Sequence, residues 1–328
     1  MAGEITRIAA AGAGRMGRGI AVVFAYAGYP VTLVDLKPRS AEDTARVQRE
    51  ALGEVQSTLR MLADIGLMEA AAIAPIAERV SFAGADEAET ALASADVIFE
   101  GVPETRTAKE EAFAALSAMA RPDAIVASTT STMLSDELQD LVTPPERFLN
   151  AHWLNPAFLV PLVEVSPGAK TDPAVTDRLV ELLEAIGKVP VVCKASPGFI
   201  VPRLQALAMN EAARLVEEGV ASADDIDKAT KYGFGFRFAV LGVLEFIDWG
   251  GGDILFHASN YMREATGADR FAVPEIVEDN MAAGRIGLKT GAGFLDYEGM
   301  DVEAYRKQRL AAFVRQLRHM GAVKPPVV

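Results

Sequence analysis

The tightest constraint on this chain is the run Gly12-Ala-Gly14-Arg-Met16-Gly17, set between the apolar Arg7–Ala11 and the acid-terminated Val31-Thr-Leu-Val-Asp35. Glycines at that spacing predict a strand, a tight turn, a helix and a second strand. Gly12 allows the turn, Gly14 lets backbone approach a pyrophosphate, and Gly17 lets the helix lie close against the strand. The helix N-terminus then presents amide hydrogens and its positive dipole end to phosphates. Asp35 ends the second strand, where a carboxylate accepts from a ribose diol and repels a 2′-phosphate. The reading is therefore NAD rather than NADP, although Lys37 and Arg39 follow closely and act against that repulsion. A glycine cluster in an ordinary loop is the alternative. The register of strands and acid favours the nucleotide.

The rest of the chain sets the bounds. Its 328 residues suit two domains. A net charge of -13 and the absence of a basic block argue against a nucleic-acid partner. The one cysteine, Cys193, excludes an intrachain disulfide and reads as a structural thiol in a reducing compartment. No long apolar run escapes interruption by charge, and the first strand begins almost at once. A cytoplasmic protein with no signal peptide and no membrane partner is expected. No metal site is expected.

Short apolar runs recur at Val80–Phe82, Val97–Glu100, Ala124–Ser128, Phe148–Ala151, Leu162–Val165 and Val189–Val192, with helical patterns between them. The early runs, short and bounded by turn residues, fit a sheet covered on both faces. Pro38–Ile65, interrupted at Gly66 and followed by helix to Arg79, predicts a helical hairpin inserted between strands. After Ser196-Pro-Gly198 only helical patterns follow, beginning with Phe199–Gly219. The fold class is α/β: a Rossmann-type doubly wound sheet with an inserted hairpin, then an all-helical domain. The domains are expected at 1–193 for nucleotide binding and 194–328 for substrate binding and dimerisation.

Histidine is scarce, and His152 stands out in Asn150-Ala-His152-Trp-Leu-Asn155-Pro156. It lies where a strand runs into a turn, the edge at which doubly wound folds bind ligands. Glu164 follows on the next apolar run, and a chain returning after Asn155-Pro156 brings it beside the imidazole. A carboxylate there makes His152 a general base for an alcohol proton. A hydrogen-bonded core histidine and a rim glutamate fit the spacing equally well. Ser128-Thr-Thr-Ser131-Thr132 offers hydroxyls at the same edge; otherwise it leads into a helix that Ser135 caps. Glu100-Gly-Val-Pro-Glu104 follows another strand end, with Lys109 one turn into the next helix.

In their order and spacing, GAGRMG, VIFEGVPE, the Ser/Thr tract, HWLNP…PLVEV, SPGFIVPRL and GRIGLKTGAGFLDY resemble the L-3-hydroxyacyl-CoA dehydrogenase family over nearly the whole chain. The resemblance implies NAD as cofactor, a helical C-terminal dimerisation domain, and hydride transfer between substrate C3 and nicotinamide C4. It places the catalytic pair on His152 and Glu164 and the substrate-contacting serine on Ser131. Cofactor roles fall on Gly12, Gly14, Met16, Gly17, Asp35, Glu104 and Lys109.

Three departures concern the substrate. Pro202 stands where the family has asparagine, removing a polar contact. No lysine lies between Lys37 and Lys109, so the hairpin lacks cations for the CoA phosphates and carries Asp64 at its tip. Tyr232–Ala239 replaces a shorter turn and is similar to a segment of carnitine dehydrogenase and of the gulonate dehydrogenase/lambda-crystallin group. There Arg237 suits a free carboxylate, or else a surface or interdomain ion pair. Gly287-Leu-Lys289-Thr-Gly291-Ala-Gly293 matches ordinary acyl-CoA members. The expected function is short-chain, 3-hydroxybutyryl-CoA-type dehydrogenation. The same chemistry on a small free 3-hydroxy acid and a non-catalytic crystallin-like NAD-binding protein are the alternatives.

Overall fold

The strand-like runs assemble into one eight-stranded sheet in the order β3-β2-β1-β4-β5-β6-β7-β8. The strands are β1 (Ile8–Ala11), β2 (Val31–Val34), β3 (Val80–Ala83), β4 (Val97–Glu100), β5 (Ile125–Ser128), β6 (Phe148–Trp153), β7 (Leu162–Pro167) and β8 (Val189–Val192). Every neighbouring pair is parallel except β6 and β7. The structure, a computed structural model, describes residues 5–327. The chain divides into two compact units, Met1–Ala208 and Met209–Val328.

β1, β4 and β5 are buried along their whole length, as uninterrupted apolar runs require. One sheet face packs against α1 (Arg15–Tyr26), α2 (Ala41–Asp64), α3 (Ile73–Ala77) and, further along the chain, the Pro173–Ala185 helix. The other face packs against α4 (Ala88–Ser94), α5 (Arg106–Met119) and α6 (Ser135–Leu138). Pro173–Ala185 is α7. Trp153, at the end of β6, meets Phe99 and Phe24 at ring-centroid separations of 5.7 and 6.2 Å. Burial of such a ring stabilises by about 1.5–3 kcal/mol, which anchors the strand carrying His152.

α2 is capped by Ser40, whose hydroxyl accepts from the Asp43 amide at 3.1 Å. With Ala70–Ala72 and α3 it forms the inserted hairpin. α6 differs from the sequence expectation. Ser135 is its first residue rather than its cap, and the buried hydroxyl donates to the Ser166 carbonyl at 2.7 Å. A partner thirty-one residues away outcompetes the local amide.

α8 (Val201–Glu217) carries the chain into the second unit, whose regular elements among the described residues are helical. Tyr232–Ala239 also differs from expectation: it is helix, not turn. α9 (Ala223–Ala229) runs through a π-helical segment, Thr230–Phe234, into α10 (Gly235–Phe238). A Cβ at Gly235 would lie 2.7 Å from the Thr230 carbonyl oxygen, so glycine serves the wide turn here rather than ending the helix. The segment Gly287–Tyr297 is clamped by buried Asp248. Its carboxylate accepts from the Phe294 and Leu295 amides at 2.9 and 2.8 Å and from the Tyr297 hydroxyl at 3.2 Å. Burial, reinforced by Asp248, holds the Tyr297 phenol protonated well above its ordinary range. Among the described residues no helix is long and apolar enough to cross a membrane.

Candidate active site

The strand order reverses direction between β1 and β4, and in such sheets a crevice opens beyond the carboxyl ends of those strands. Gly12 leaves β1 with φ of 115°, and a Cβ there would lie 2.7 Å from the Gly101 carbonyl oxygen at the end of β4. A Cβ on Gly17 would lie 2.1 Å from the Gly12 carbonyl oxygen, so α1 approaches the turn as only glycine allows. Gly14, in extended conformation at the cap of α1, has open space around it. Met16 packs partly buried against the core. The resulting cleft, about 520 Å³, runs from Gly12 and Gly14 to Asp35. Open glycine backbone, a helix N-terminus and a carboxylate at the far end fit a dinucleotide. Gly17→Ala should abolish measurable NADH binding in a fluorescence titration, because the added methyl forces α1 off the turn. Unchanged affinity would show that the cofactor lies elsewhere.

His152 and Glu164 face each other in register across the antiparallel β6–β7 pair. That register puts both side chains on one sheet face, within direct reach. The imidazole Nδ1 lies 2.7 Å from Glu164 Oε2. A carboxylate only accepts, so Nδ1 carries the proton and Nε2 is left with a free lone pair. Ser131 Oγ, just beyond β5, lies 3.1 Å from that Nε2. Glu164 Oε1 accepts from the Ile200 and Val201 amides, each at 2.8 Å, where α8 begins. Pro202 has no amide to offer and sits within the first turn of α8. The glutamate is fully buried and His152 nearly so, while Ser131 is exposed.

Glu104 holds the Ser131 loop. Its Oε1 accepts from the Thr130 hydroxyl, from the Ser131 and Thr132 amides at 3.0 and 3.2 Å, and from the Thr132 hydroxyl at 3.0 Å. Burial pushes this carboxyl up. Donation from Thr130, the Lys109 charge and the remaining bonds outweigh it, so the group sits below its ordinary value of 4.5. The loop's anchor is therefore fully charged above that value and weakens only as pH falls through the lowered value.

Two groups in this region went unassigned in the sequence. Glu100 was legible only as the end of a strand. It is fully buried, with both oxygens 2.9 Å from Lys109 Nζ, Oε1 accepting from the Val102 amide at 2.7 Å, and Oε2 from the Ser128 hydroxyl at 2.8 Å. Lys109, read as a cofactor residue, is itself buried, and its ammonium is taken up by Glu100, with Glu104 at 3.5 Å. Removing one partner of such a pair costs about 3–5 kcal/mol. An acid closing an otherwise apolar buried strand was the available signal. The other is Phe199, which stacks on the His152 ring at 5.5 Å and adopts φ of 43°, rare for a non-glycine residue. Nothing local in the sequence announced it. Cys193 is half-buried, and burial, with the Glu164 charge, pushes its thiol up, which makes it a poor nucleophile.

In the second unit, the Arg237 guanidinium lies 5.4 Å from the centre of the Phe246 ring. Among the described residues of its own unit no carboxylate comes within 4 Å of it.

A doubly wound sheet with a glycine turn at its switch point is the frame of a dinucleotide-binding domain, and the family match to an NAD binding domain makes the chain an NAD-dependent dehydrogenase. The chain belongs to the 3-hydroxyacyl-CoA dehydrogenase family and is an oxidoreductase acting on CH–OH groups. The family's NAD binding domain matches residues 7–196 and its C-terminal domain residues 198–297. The 5-formyl-3-hydroxy-2-methylpyridine 4-carboxylate 5-dehydrogenase of Mesorhizobium japonicum is 32% identical, covering 94% of this chain and 96% of that protein. A probable 3-hydroxybutyryl-CoA dehydrogenase of Bacillus subtilis is 31% identical over 90% and 98% of the two chains. The crystal structure of a 3-hydroxyacyl-CoA dehydrogenase from Archaeoglobus fulgidus superposes with a TM-score of 0.74 at 27% identity, covering 97% of this chain and 100% of that one.

Proposed function

We propose that this enzyme oxidises the C3 hydroxyl of a short-chain 3-hydroxyacyl-CoA, of the 3-hydroxybutyryl-CoA type, with His152 as general base. One observation carries the reading: the line of Ser131 Oγ, His152 Nε2, His152 Nδ1 and Glu164 Oε2, with separations of 3.1 and 2.7 Å at its two hydrogen bonds. A substrate hydroxyl seated against Ser131 Oγ and Nε2 loses its proton to Nε2 as C3 becomes a carbonyl carbon. Glu164 keeps the ring in the tautomer that can accept and stabilises the imidazolium that forms. Phe199 covers one ring face and limits water access. Gly12, Gly14, Met16 and Gly17 would hold the pyrophosphate side of NAD and Asp35 its ribose, with Glu104 and Lys109 shaping the loop beside the nicotinamide. When bound, NAD supplies the acceptor for the hydride leaving C3.

A second reading, a small free hydroxy acid, is favoured by one observation: among the described residues of its own unit Arg237 has no acidic partner, which leaves it for a substrate carboxylate. The hairpin agrees with it, for its tip exposes Ile65 and Leu67 beside Asp64 and offers CoA phosphates no lysine. The similarity to a relative named for a pyridine carboxylate points the same way. The test is NAD reduction on 3-hydroxybutyryl-CoA, carnitine, gulonate and 3-hydroxybutyrate. Turnover of the CoA ester with little on the acids is expected. Turnover confined to an acid, and lost in Arg237→Ala, would establish the second reading. No turnover on any of them would overturn both readings and place the substrate in another class. We further propose a cytoplasmic homodimer joined through the second unit, which exposes Met209, Val220, Ile254 and Tyr261.

A further inference from the structure

The far end of the cofactor cleft carries more positive charge than recognition of a ribose diol needs. Asp35, Lys37, Arg39 and Arg46 line it, together with Glu50. Arg46 is neutralised by Asp43 and Glu50 at 3.0 and 3.1 Å. Arg39 is not satisfied in the same way. Its Nε donates to Asp35 Oδ2, and neither terminal nitrogen has a hydrogen-bond partner among the described residues. Lys37 is exposed and has no carboxylate within 4 Å among the described residues. Asp35 is thus a nearly buried carboxylate whose charge is offset by a neighbour on its own loop, with a second cation beside it.

We propose that Arg39, assisted by Lys37, is a latent 2′-phosphate site, and that the Asp35–Arg39 pair sets the choice between NAD and its 2′-phosphorylated form. This rests on the reading of the Gly12–Asp35 cleft as the cofactor site. Asp35 disfavours a 2′-phosphate by direct repulsion and by holding the Arg39 donor that would bind it. Arg39 in turn lowers that repulsion, so the native chain tolerates a 2′-phosphate weakly instead of excluding it. Removing the Asp35 charge releases a planar guanidinium that already lines the cleft. Lys37 then adds a point charge.

Calorimetric titration of the full chain with ADP and with adenosine 2′,5′-bisphosphate tests this without catalysis. The native protein should bind ADP more tightly and the bisphosphate measurably. Asp35→Asn should raise affinity for the bisphosphate relative to ADP by roughly ten- to a hundredfold, the worth of one charge-assisted hydrogen bond. Arg39→Gln in that background should remove the gain. In the native background, Arg39→Gln should weaken the bisphosphate more than ADP. This comparison stands even if Asp35→Asn does not fold, because Arg39 is at the surface. No bisphosphate binding by the native chain would overturn the proposal, as would no gain in Asp35→Asn, a gain that survives in the double variant, or no selective loss in Arg39→Gln. Failure of ADP itself to bind would overturn the cleft reading and the proposal with it. ADP binding with a bisphosphate response unlike the one expected would overturn the proposal alone.

Discussion

His152→Gln should lower kcat by a factor on the order of 100 to 10,000, the usual worth of a positioned general base. Glutamine can hydrogen-bond to Ser131 Oγ, but it takes no proton at neutral pH. The loss should fall on kcat rather than on cofactor affinity, because the imidazole lies at the end of β6, beside the start of β7, while the glycine turn lies at β1. Pre-steady-state kinetics separates the two: NADH binding should persist while the chemical step slows. Full turnover in this variant would remove His152 from the mechanism. The cavity cost should be small, since glutamine nearly fills the ring's volume.

Glu164→Gln should be comparably damaging, by a different route. The carboxylate accepts at both oxygens, from His152 Nδ1 on one and from the Ile200 and Val201 amides on the other. A carboxamide has one accepting end, so its amino group must meet either two amide donors or the Nδ1 proton. If it faces the ring, the imidazole adopts the other tautomer, with Nε2 protonated towards Ser131 and no lone pair for the substrate. A wrong-tautomer imidazole costs about 10⁴ in kcat in serine proteases, and a loss of about 10²–10⁴ is expected here. If it faces the helix, α8 loses its N-terminal acceptor, and the unsatisfied donors cost about 1–3 kcal/mol of stability. Nitrogen NMR of the imidazole together with thermal unfolding distinguishes the two outcomes. A variant with native kcat and native stability would contradict both. Glu164→Asp, which keeps two acceptors on a shorter stem, should recover part of whichever property is lost.

The sheet was legible because its central strands β1, β4 and β5 are short buried runs bounded by turn residues, a pattern set within a few residues of sequence. The long α2 helix was legible from its helical pattern, expected over Pro38–Ile65 and found over Ala41–Asp64, while the Ser40 cap was not read. Legibility failed where a distant group decided the outcome. Ser135 reads as a cap, yet the Ser166 carbonyl takes its hydroxyl. The glycines of Tyr232–Ala239 read as a turn, yet a wide helical turn accommodates them. Glu100 and Lys109 are nine residues apart, and local pattern does not pair them. Only the closing of α5 over the sheet buries them together.

By itself the sequence determined the glycine turn, the acid at the end of β2 and the order in which His152, Glu164 and Ser131 appear. Each is fixed by residue type and short-range spacing, which a fold of this class converts into position with little freedom. The tertiary structure decided which of these groups meet. Strand order puts the exits of β5 and β6 beside the start of β7, and the antiparallel register pairs His152 with Glu164. α8 then presents two amides to the remaining carboxylate oxygen. A proton-accepting Nε2 depends on all three, because tautomer and orientation are set by partners that chain spacing does not specify. Asp35 shows the same division: its identity is local, but the charge it presents to a cofactor depends on the fold bringing Arg39 against it.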